Sequence, residues 1–100
     1  MFRHVVLFRW TPDTTAEHVE RITTGLRALP AQIPEMGTYR CGSDLGISDG
    51  AFDFAVVADF ADQASWLTYR DHPLHQQVIA DHIAPHIAER AALQYEIDPT

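Results

Sequence analysis

The 100-residue sequence has no lysine and only one cysteine. No apolar run approaches the roughly 18 residues that a membrane-spanning helix needs. Each absence excludes something. The lone Cys41 cannot close an internal disulfide, which agrees with a reducing compartment. Within "TYRCG" nothing obvious lowers its thiol pKa, so it reads as a small packing residue rather than a nucleophile. All seven cations are arginines, scattered among 14 carboxylates for a net charge of -7. Phosphate backbones need clustered cations, so nucleic acid is not an expected partner, and a small neutral or weakly polar organic ligand fits better. There is no glycine-rich phosphate loop and no G-x-S-x-G, so neither nucleotide binding nor serine hydrolysis has support, and no cofactor is expected. In "MFRHVVLFRW", Arg9 closes the apolar stretch and no small-residue cleavage site follows. The segment therefore reads as a strand of the mature protein, and a cytoplasmic location is expected.

What is present suffices for one domain over residues 1–100. The hydrophobic share is 46%, and a chain of this length buries roughly 65% of its unfolded surface. Residues 2–10 alternate with period two: His4, Val6, Phe8 and Trp10 share one face, Arg3, Val5, Leu7 and Arg9 the other. A helix follows, with Thr14 and Glu17 spaced as a capping box and Val19, Ile22, Leu26 and Leu29 as one apolar stripe; Pro30 stops it. "MGTYRCGSD" (36–44) is a second strand and "FDFAVVADF" (52–60) a third, the latter with Phe52, Phe54, Val56, Ala58 and Phe60 on one face. Asp62 can cap a short helix to about Asp71. Pro73 suits the first turn of the next helix, which Pro85 ends or kinks. "AALQYEI" (91–97) closes the chain as a strand.

The order β-α-β-β-α-α-β predicts an α+β, ferredoxin-like fold: a four-stranded antiparallel sheet with its helices on one face. The other face presents Val5, Leu7, Ala55 and Val57, where a solvated sheet would be polar. Leaving them wet would cost several kcal/mol at roughly 25 cal/mol per Å², against a net stability of about 5–15 kcal/mol. A second copy of the same face is the simplest cover, so a homodimer through the sheet face is expected, closing a dimeric α/β barrel.

The segments "RHVVLFRW", "LRALPAQIPEMGTYRCGSD", "FDFAVVADF", "YRDHPLHQQV" and "RAALQYEI", taken in order, resemble the stress-responsive A/B barrel (Dabb) family over nearly the whole chain. The resemblance implies a dimeric α+β barrel of two ferredoxin-like sheets. Family members include stress-induced plant proteins, members without assigned activity, and the olivetolic acid cyclase of plants, which folds a linear polyketide thioester by aldol condensation. Similarity to that cyclase implies catalytic roles for Tyr69, His75 and His4; His72 matches a histidine of the same motif.

Physical chemistry supplies its own reading of "YRDHPLHQQV". If Pro73 opens a helix, His75 is its third residue, near free backbone N–H groups that disfavour an imidazolium. A neutral His75 could serve as general base, Tyr69 could donate to a developing enolate, and His4 could meet them from the sheet as a positioning group. Phe8, Trp10, Phe54 and Trp66 could line an apolar slot, with His72 beside it. The bland alternative makes His72 a helix N-cap and His75 a structural cap, in a binding or stress-response protein without chemistry. His72 with His75, and His82 with His86, have metal-ligand spacing, but Pro85 interrupts the second pair and Cys41 has no obvious partner, so no metal is expected.

Overall fold

In the computed structural model, which describes residues 1–98, the chain runs β1 (Phe2–Trp10), α1 (Ala16–Arg27), β2 (Met36–Ser43), β3 (Phe54–Phe60), α2 (Gln63–Asp71), α3 (Pro73–Val78) and β4 (Ile87–Glu96). The strands form one antiparallel sheet in the order β2-β3-β1-β4, the ferredoxin-like arrangement. Across β1 and β3, His4 faces Ala58, Val6 faces Val56 and Phe8 faces Phe54. These residues are buried, and the apolar ones join Ile22, Leu26, Ile33 and Ile83 in one core between sheet and helices. The period-two reading of β1 and β3 therefore assigned the inner face correctly.

Several boundaries differ from the sequence reading, each for a local reason. The N-cap of α1 is Thr15, not Thr14: Thr15 accepts from the His18 N–H while His18 Nδ1 accepts from the Thr15 N–H, so an imidazole does the work expected of Glu17. Thr14 instead bonds to Thr11 and to His86. β3 begins at Phe54, because Phe52 leaves the sheet and lies under the Arg9 guanidinium at 4.3 Å. β4 begins at Ile87, four residues before the expected start at Ala91. Pro85 cannot donate a helical hydrogen bond. The chain meets it through one wide π-turn (Ile79–Ile83) and one 3₁₀ turn (Ala84–His86), then extends at once.

Two bulges aim side chains that later matter. Between Met36, opposite Phe60, and Tyr39, opposite Ala58, β2 holds one extra residue. Without it Thr38 and Arg40 would face the core; with it Tyr39 and Cys41 do. The bulge depends on Gly37, whose missing Cβ would stand 2.8 Å from the Asp59 carbonyl oxygen. Gly37→Ala is expected to cost about 1–3 kcal/mol in denaturant unfolding, with the loss concentrated in the β2–β3 pairing seen by hydrogen exchange. The second bulge, near Arg9 and Trp10, sets Phe8 opposite Arg90. Arg90 thereby shares the inner face of the sheet.

The outer face carries Val5, Leu7, Ala55, Val57 and Ala91, with Leu93 56% and Tyr95 45% exposed. Its one buried charge is matched within the chain: Arg3 forks onto Asp59 at 2.7 and 2.9 Å, holding that carboxyl below its usual range. Among the described residues no helix is long and apolar enough to cross a membrane.

Candidate active site

The helices pack on β1, β2 and β3 but leave the inner face of β4 bare, where Arg90, Ala92 and Gln94 are exposed. Under the helical layer, opening toward that strand, lies a cavity of about 170 Å³. His4, Tyr69 and His75 all line it, together with Tyr39, Trp66 and Arg90. Three sequence candidates thus meet at one void. Phe8 and Trp66 also reach it; Trp10, Phe54 and His72 do not. Phe54 is 2% exposed and packs against Phe8 and Trp10 in the core. His72 is the N-cap of α3, its Nδ1 accepting from the Leu74 N–H.

His75 is fixed by a helix end. The carbonyl of Arg70, in the last turn of α2, is left without its usual helical donor where the chain breaks at His72 and Pro73. His75 Nδ1 bonds to it at 3.0 Å, and Gln76 Nε2 joins from the side. A carbonyl only accepts, so Nδ1 carries the proton and Nε2 keeps its lone pair. Burial then lowers the imidazole pKa below its ordinary value, against the pull of the Arg70 carbonyl; the charge of Arg90 acts in the same direction as burial. Burial, rather than the short helix expected to disfavour the imidazolium, is the main cause.

His4 is the opposite tautomer. Its Nδ1 accepts from the Gln94 amide at 2.9 Å, so the proton sits on Nε2. Burial lowers its pKa to about 4, with Arg90 and His75 adding to the effect. Both rings are neutral at pH 7, one offering a base and the other a donor. Among the described residues no protein group bonds to either Nε2. Tyr69 lies between them, its ring 4.1 Å from His75 and 6.3 Å from His4 by centroids. Burial pushes its phenol up to about 12, so it stays protonated and able to donate.

Sequence reasoning missed Tyr39, Arg90 and Gln94. Tyr39 was hidden by the bulge, and the two β4 residues by a pairing register that no spacing in one chain reveals. The phenols of Tyr39 and Tyr69 are near enough to shift each other's ionisation, yet no hydrogen bond of ordinary geometry satisfies Tyr39. Among the described residues Tyr39 Oη and Trp66 Nε1 are both buried without a partner. An unmet buried polar group costs about 1–3 kcal/mol, and both of these residues line the cavity.

The chain belongs to the stress-responsive A/B barrel domain family, whose profile matches residues 2–97. Among solved structures it is similar to a dimeric ferredoxin-like protein of unknown function from Thermobifida fusca, 45% identical with TM-score 0.89, over 96% of this chain and 90% of that one. It also resembles a dimeric ferredoxin-like protein from Bacteroides fragilis, 24% identical with TM-score 0.83 over 96% and 95%. A hydroxynitrile lyase from Passiflora edulis shares the fold at 24% identity, with TM-score 0.84 over 99% and 94%. No curated protein matches the sequence.

Proposed function

We propose that the protein is a cofactor-free enzyme that removes a proton next to the carbonyl of a small, mostly apolar organic molecule, as in an aldol cyclisation or an isomerisation. The observation that carries this reading is the pair of buried, neutral imidazoles in opposite tautomers on one cavity. His75 Nε2 takes the proton; the C–H electron pair moves into the new C=C bond and the charge to the carbonyl oxygen. The Tyr69 hydroxyl and the His4 Nε2–H donate to that oxygen. The imidazolium formed on His75 returns its proton to carbon or oxygen, which regenerates the base. A void of about 150 Å³ has room for a benzene ring, so this cavity of about 170 Å³ has the volume for a substituted ring or a chain of similar size.

The test is exchange of the α-protons of phenylacetone for deuterium, followed by NMR. The wild-type protein is expected to accelerate exchange over buffer containing equimolar imidazole. No acceleration would leave the binding-protein alternative as the better reading. The rate requires neutral His75, whose pKa lies below the ordinary value of about 6.5. Exchange should therefore stay level as pH falls from 8 through 6.5, and drop tenfold per unit only below the lowered pKa.

The same proposal includes a homodimer through the outer sheet face, supported by the exposed Leu93 and Tyr95 beside Val5, Leu7 and Val57, and by the dimeric description of the Thermobifida fusca relative. Leu93→Glu places a charge on that face, on the edge strand β4 opposite Val5. Sedimentation velocity at 10 μM is expected to show a dimer for the wild type and a monomer for the variant. A wild-type monomer would remove the dimer from the proposal.

A further inference from the structure

We propose that Arg90 recognises a carboxylate on the ligand, making the substrate class an apolar ring or short chain that bears one acid group at the cavity mouth. The inference rests on the cavity being a ligand site and names what that ligand carries.

Three observations support it. The chain has 14 carboxylates against seven arginines, yet the cavity lining includes His4, His75, Arg70 and Arg90 and no aspartate or glutamate. Both histidines are neutral, so among the described residues the charged groups of the lining are guanidiniums alone, in a protein that is acidic overall. The two guanidiniums are also not equivalent. Arg70 is committed, forked onto Asp71 at 2.9 and 3.1 Å and set over the Trp66 ring at 5.6 Å. Arg90 makes no ion pair among the described residues, and its neighbour Glu89 turns to the opposite face to meet Arg9 at 3.3 Å. Finally, Arg90 stands where the apolar walls end. It lies opposite Phe8, itself in the lining, on the strand the helices leave uncovered.

Arg90 also acts on the reacting groups, since its charge disfavours protonation of His4 and His75 and favours the ionised form of Tyr69. A planar guanidinium matches the two oxygens of a carboxylate. The apolar depth beneath it fixes the rest of the molecule, with the ring inside and the acid outward.

Calorimetric titration of the full chain with 3-phenylpropionate and with its neutral isostere 3-phenylpropionamide tests this. The wild type is expected to bind the acid at least tenfold more tightly at 50 mM salt. Arg90→Gln should bring that ratio to near one and leave affinity for the amide within about threefold, which also shows that the cavity is intact. Equal binding of acid and amide by the wild type would overturn the role of Arg90 while leaving the cavity as a ligand site. So would a preference that survives in Arg90→Gln. If neither compound binds the wild type, the carboxylate and the ligand site fall together.

Discussion

Asparagine in place of His75 is expected to slow deuterium exchange into phenylacetone by about 10²–10⁴-fold, the span typical of removing one positioned general base, with little change in fold. The choice of asparagine follows from the tautomer. Its amide nitrogen can take the place of Nδ1 and go on donating to the Arg70 carbonyl that ends α2, while nothing replaces the Nε2 lone pair. Alanine removes both functions: the carbonyl keeps only the Gln76 amide as donor, and the lost hydrogen bond costs about 0.5–1.5 kcal/mol of stability. The two variants separate chemistry from capping: both should lose exchange, but only alanine should lower the melting temperature substantially. If asparagine kept the activity, His75 would be a cap alone.

The second large effect is on stability. His4 titrates near pH 4 in the folded protein and near 6.5 in an unfolded chain. Above 6.5 both states are neutral and its contribution is constant. Between 6.5 and 4 the unfolded state takes up a proton that the folded state refuses, so stability falls as pH drops, levelling off below 4. About 2.5 pH units at 1.36 kcal/mol each give a loss of about 3 kcal/mol. His4→Asn keeps an acceptor for Gln94 and removes the titration. Urea unfolding at fixed protein concentration, at pH 7 and pH 4, should show the wild type losing about 3 kcal/mol more than the variant. Carboxylates such as Asp59 also weaken in acid, but they do so equally in both proteins and cancel in the difference. Parallel losses would mean that His4 is not held neutral by burial.

Much of this arrangement was legible in the sequence because the informative signals are local. Alternation in β1 put His4, Val6 and Phe8 on the helix side, and Asp62 and Pro73 marked the starts of α2 and α3. That His72 caps α3 follows from its place before Pro73. The approach of Tyr69 and His75 needed only the break between two helices. What stayed hidden depends on partners distant in the chain. One extra residue in β2 decides whether Thr38 or Tyr39 enters the cavity, and the space for it is set by the Asp59 backbone across the sheet. Arg90 and Gln94 reach the site through the register of β4 on β1, which a bulge near Trp10 fixes. Trp10 and Phe54 carried the apolar pattern of a pocket wall, but core packing and pocket lining share one pattern. Only the position of the void separates Trp66 and Phe8 from them.

The account turns on two buried rings that are both uncharged and carry their protons on opposite nitrogens. Long-range ¹H–¹⁵N spectra of uniformly labelled protein at pH 7 read that directly. They should show His75 protonated on Nδ1 with a bare Nε2, and His4 protonated on Nε2 with Nδ1 accepting. A proton on Nε2 of His75, or an imidazolium at either position, would contradict it.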